Sequence, residues 1–156
     1  MLTSAFDQIL IDETRELRAF LSLLERERAA LDSNDAEPLT AICAEKNQAS
    51  DRLHASGLRR SEWFAKQGKG TDREAVSAWL ASLPPQAPQR KAWQQLMDLA
   101  KRARKLNEES GALIRARMQH GQQALAVLLA ASDRAALYGP NGQTLGATVK
   151  RHLGSI

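Results

Sequence analysis

Three histidines, His54, His120 and His152, and one cysteine, Cys43, are the residues here with the chemistry of metal ligands or nucleophiles. A transition-metal site needs such groups at short, repeated spacings. The histidines stand far apart, and none has a ligand-type residue three or four positions on. A lone thiol forms no intrachain disulfide, which fits a reducing compartment. Carboxylates are plentiful but fall on the polar faces of helical patterns. The chain has no Gly-rich phosphate loop and no GxSxG elbow. Catalysis needs positioned groups in a shielded pocket, and no pair suited to it is present. The expectation is a protein that is not an enzyme and needs no metal or other cofactor.

The strongest basic cluster is Lys101-Arg102-Ala103-Arg104-Lys105. One reading is contact with phosphates. The other is the outer face of a long helix, partly matched to acidic residues elsewhere. No aromatic residues are interleaved with the cations, as single-strand binding would require, and no nucleic-acid reading motif surrounds them. Nucleic acid is therefore not an expected partner.

The elements that carry these residues are helical. The apolar content is largely Ala and Leu, with few aromatic or β-branched residues. The length of 156 residues suits one all-α domain with a core of its own. Leu10, Leu17, Leu24 and Leu31 recur every seven residues, with Phe6 and Phe20 in the offset position. This predicts a first helix over residues 4–31 with a coiled-coil seam. Asp32-Ser33-Asn34-Asp35 is a turn. A second helix over residues 36–66 has Leu39, Ile42, Ala49, Leu53 and Trp63 on one face.

Folded antiparallel so that facing residue numbers sum to 73, the pair sets Leu31 against Ile42 and Leu24 against Ala49. Phe20 then faces Leu53, and Leu10 faces Trp63. The same register opposes Glu13 to Arg60 and Glu27 to Lys46, as partly exposed ion pairs of about 0–1 kcal/mol. Ala49 and Ser56 leave a groove for a third helix. Gly68-Lys69-Gly70 ends the second helix. Thr71-Asp72-Arg73-Glu74 reads as a capping box for a short connecting helix bearing Val76, Trp79, Leu80 and Leu83. Pro84-Pro85-Gln86-Ala87-Pro88 stops it.

A third long helix follows over residues 89–131, with a stripe of Trp93, Leu96, Ala100, Ala103, Leu106, Leu113, Met118, Leu125 and Leu128. Gly111 and Gly121 mark either close helix contact or a place to bend. From 125 to 131 the helix is apolar on several sides, more than a hairpin can cover. A partner, the tail or a second copy of the chain must meet it. Residues 1–35 carry a net charge of −4 and residues 84–156 carry +7, so the first and last helices either attract or solvate separately. The expected division is a helical bundle over 1–137 and a flexible client-binding tail over 138–156. No secretory signal and no membrane-spanning stretch are expected.

Two segments together carry a family resemblance. They are Lys105-Leu106-Asn107-Glu108-Glu109-Ser110-Gly111-Ala112-Leu113-Ile114 and Leu137-Tyr138-Gly139-Pro140-Asn141-Gly142-Gln143-Thr144. With the helical hairpin, they resemble the FlgN family of flagellar type III export chaperones over essentially the whole length. Family members often have Asn where this chain has Ser110-Gly111. The resemblance implies a cytoplasmic chaperone that binds the C-terminal helical end of hook-associated, or hook–filament junction, proteins. It would deliver them to the flagellar export gate and ATPase components, reaching the membrane only through that apparatus. The implied client contact lies on Leu125, Val127, Leu128 and Leu129 and on Leu137, Tyr138, Gly139 and Gly142. A homodimer through the same apolar segment is the alternative, a self-associating helical adaptor.

Overall fold

The computed structural model describes residues 4–136, and the side chains of 4–132. The described residues form four α-helices and no strand: α1 (Ala5–Asp32), α2 (Glu37–Lys66), α3 (Arg73–Ser82) and α4 (Pro88–Ala136). The all-α expectation holds, with α1 and α2 as the antiparallel hairpin. The chain divides into two units, Met1–Ala112 and Leu113–Ile156. The expected tail over 138–156 lies outside the described residues.

Each helix boundary has a local cause. Ser4 caps α1: its hydroxyl accepts from the Asp7 amide at 3.2 Å, and its own amide donates to the Asp7 carboxylate at 2.9 Å. At the far end Asn34 takes φ 56°, a left-handed turn that Asn tolerates. Pro38 sits in the first turn of α2, where a missing N–H costs little. Gly68, at φ 67°, closes α2 while the Lys69 amide donates to the Phe64 carbonyl at 3.0 Å. The start of α3 lies one residue later than the sequence suggests. Asp72, not Thr71, is the cap, and its carboxylate accepts from the Ala75 amide at 2.7 Å. A carboxylate at this position outcompetes the neighbouring hydroxyl because it is the stronger acceptor for amides at a helix N-terminus. Arg90 then donates to the Ala81 and Leu83 carbonyls at 2.9 and 2.6 Å, tying the start of α4 to the end of α3.

The expected register of the hairpin is present. Arg60 grips Glu13 through two bonds of 2.8 and 3.1 Å, and Lys46 reaches both oxygens of Glu27 at 3.2 and 3.3 Å. The pairs are partly exposed through their cations, Arg60 at 20% and Lys46 at 22%, but their carboxylate ends are more buried than expected. Glu13 is 6% exposed and Glu27 only 2%, because α4 closes the groove over the hairpin seam. A buried carboxylate is costly without its cation, so each pair constrains the fold more strongly than a surface bridge.

Within Met1–Ala112, α4 runs beside α1 in the same direction. Gln89 donates to Asp7, Arg102 to Glu25, and Arg28 meets Glu109, in ascending order along both helices. The acidic first helix and the basic stretch of α4 therefore meet. Leu17, Leu24, Ala49 and Ser56 are buried, and Leu96 and Ala103 join the core from α4. One end of the bundle holds an aromatic cluster that the sequence reading missed. Phe6 packs on Trp63 with ring centroids 4.6 Å apart, and Phe64 and Trp79 meet both. Phe64 is fully buried although it lies one residue beyond the seam position read for Trp63. Trp93 stands apart from this cluster, with the Arg60 guanidinium 5.1 Å from its ring centre.

Candidate functional site

The stripe of α4 changes character along its length. Trp93, Leu96 and Ala103 are buried, whereas every residue from 118 to 132 is exposed. Met118 is 60% exposed, Leu125 57%, Val127 68%, Leu128 66% and Leu129 56%. This is the largest run of exposed bulky apolar side chains among the described residues. Isolated exposed leucines are ordinary, but a contiguous set marks an interaction surface.

Helix geometry sorts the expected site residues. At about 100° per residue, Leu125, Leu128 and Leu129 fall on one side of α4, and Met118 stands two turns before Leu125 on that side. Ile114 and Gly121 continue the line, giving a three-and-four spacing like a coiled-coil seam. Val127 projects from roughly the opposite side. The structure therefore brings together three of the four expected helical residues, separates Val127, and adds Met118. Sequence periodicity already placed Met118 on the stripe; only its exposure assigns it to a surface. Leu137, Tyr138, Gly139 and Gly142 lie outside the described residues. A Cβ at Gly121 would meet nothing within 4 Å, so close helix contact does not explain this glycine.

This surface offers shape and apolar area, not reactive chemistry. His54 and Cys43 are exposed on α2. Among the described residues no three His, Cys, Asp or Glu side chains come together as metal ligands, and no helix is long and apolar enough to cross a membrane. The acidity of Asp7 is displaced by its surroundings. Partial burial pulls its carboxyl upward, but hydrogen bonds from Ser4 and Gln89 outweigh that and hold it below its ordinary value. It serves the α1 cap and the α1–α4 contact.

The basic cluster divides by direction. Arg102 reaches Glu25 at 2.6 Å, Lys105 approaches Glu109 at 4.0 Å, and Ala103 is part of the core. Lys101 and Arg104 instead line a separate cleft with Arg60 and Trp93. The match to the acidic first helix thus uses only part of the cluster. Ser110 is wholly buried, and its hydroxyl has no hydrogen-bond partner among the described residues.

No curated protein and no solved structure matches the chain. The family model described as FlgN protein matches residues 1–146. That match covers the bundle, the exposed stripe and the whole segment 137–144, and the chain belongs to the FlgN family, a family of flagellar export chaperones.

Proposed function

We propose that this protein is a cytoplasmic chaperone for hook–filament junction proteins. It binds their C-terminal helical region, prevents premature assembly, and delivers them to the flagellar type III export apparatus. The observation that supports this reading most is the exposed stripe of Met118, Leu125, Leu128 and Leu129 on α4. A client helix would lay its own apolar stripe along it, as in helix-in-groove recognition. Leu137, Tyr138, Gly139 and Gly142 would complete the contact. A client that orders on binding loses conformational entropy, which holds affinity to a level that permits release at the export gate.

Full burial of one Leu side chain contributes about 1.5–3 kcal/mol. Leu128→Glu removes that contribution and adds a charge, so client binding weakens by at least about tenfold. Calorimetric titration with a peptide from the C-terminus of a junction protein measures it. Val127→Glu, on the opposite side, weakens binding far less. Equal affinity of Leu128→Glu and the unaltered protein would sink the proposed surface.

The spacing of the same stripe also suits a second copy of the chain. Sedimentation over a range of concentrations separates the readings. A mass that doubles without client, and is unaffected by client, favours the self-associating adaptor.

A further inference from the structure

A second surface lies within residues Met1–Ala112. A cleft of about 620 Å³ opens between α2, the start of α3 and the first half of α4. Arg60, Arg73, Lys101 and Arg104 reach it from all three elements, with Trp93 and Met97 supplying apolar lining. Arg60 is committed to Glu13. Arg73, Lys101 and Arg104 are exposed and make no ion pair among the described residues. Asp98 is the one carboxylate in the lining, and Gln94 donates to it at 2.9 Å.

Two features set this cluster apart from ordinary surface charge. Arg73 occupies the first turn of α3, where the helix dipole disfavours a cation. Among the acidic residues of α1, Glu13 neutralises Arg60 alone, and Glu16, Glu25 and Glu27 are engaged away from the cleft with Arg52, Arg102 and Lys46. Residues 133–156 are basic on balance, with one carboxylate, Asp133, against Arg134, Lys150 and Arg151.

We infer that this cleft docks an acidic, amphipathic segment of another protein. Carboxylates spaced three or four residues apart on a helix would reach Lys101 and Arg104, themselves three apart on one face of α4. An apolar residue between them would cover Met97 and the exposed edge of Trp93. Nucleic acid fits less well. Trp93 is 9% exposed beneath Arg60, which leaves no open ring face on which a base could stack. The site shares no residue with the exposed surface of Met118, Leu125, Leu128 and Leu129, so the inference stands or falls independently of the client reading.

The test uses the full chain and a synthetic amphipathic helix built from Glu and Leu, with a Gln-for-Glu version as control. The indole N–H resonance of Trp93 reports occupancy by NMR. The acidic peptide should shift that resonance together with the amides of Met97, Lys101 and Arg104. The combined variant Arg73→Glu, Lys101→Glu, Arg104→Glu should bind at least about tenfold more weakly, and the matched reversal Lys66→Glu, Lys69→Glu, Lys91→Glu should stay within about twofold. Circular dichroism verifies the fold of both; if the first is unfolded, Lys101→Gln with Arg104→Gln gives the same reading. Equal binding of the Gln peptide, equal loss in both reversals, or tighter binding of a DNA oligonucleotide at the same residues would each overturn the inference.

Discussion

The two halves of α4 are built from similar residues and meet different fates. Residues 88–110 place Trp93, Leu96 and Ala103 in a shared core, and three of their polar side chains find partners on α1: Gln89 with Asp7, Arg102 with Glu25, Glu109 with Arg28. Residues 118–132 continue the apolar pattern with every position exposed. An apolar stripe by itself therefore does not distinguish core from docking surface. Polar pairing helps: beside the core stretch Gln89, Arg102 and Glu109 are matched in register to α1, whereas Lys101 and Arg104 face the cleft.

The sharpest way to break the first half is Arg60→Ala. It leaves the Glu13 carboxylate buried without its cation and removes the contact over Trp93, at a cost of about 3–5 kcal/mol in urea unfolding. A loss below about 1 kcal/mol would mean that the pair is not a constraint of the core. Ser4→Ala removes the α1 cap at a cost of about 1 kcal/mol. Asp7→Asn adds a pH signature. The folded Asp7 carboxyl lies below its ordinary value of 3.8, so its contribution is present above that pH and vanishes as pH falls through the folded value. The stability gap between Asp7→Asn and the unaltered protein should close in that acid range and stay constant near neutrality.

Changes in the second half should be smaller. Gly121→Ala should raise helicity and add up to about 1 kcal/mol locally, since nothing lies within 4 Å of the new Cβ. Leu128→Ala should alter global stability by no more than about 0.5 kcal/mol, as for other exposed positions. A cost of several kcal/mol there would show that the stripe belongs to a core after all.

Much of the bundle is legible from residue types alone. The heptads of α1 and the opposed charges of Glu13, Arg60, Glu27 and Lys46 determine the hairpin register, because slippage would strand charges against apolar neighbours. Ser4, Pro38 and Gly68 mark helix boundaries through their own backbone preferences. The burial of Glu13 and Glu27 was not legible, because it depends on where the third helix closes the groove. Phe64 was hidden for a related reason: it lies beside the seam read for Trp63, and only the arrival of Phe6 and Trp79 gives it a core environment. At the candidate surface, composition located residues 125–129 but overstated their unity. The helical period places Val127 away from Leu125, Leu128 and Leu129, and exposure brings in Met118. The cleft around Trp93 joins residues from α2, α3 and α4, and no local pattern announces such a convergence.

Hydrogen exchange along the chain, with and without a C-terminal peptide from a hook–filament junction protein, tests the central claim most directly. The account predicts slow exchange in α1 and in residues 88–110 of the free protein, faster exchange over 118–132, and slowing of that second stretch when the peptide is added. Residues 118–132 already as slow as the core in the free protein, or unchanged by saturating peptide, would contradict it.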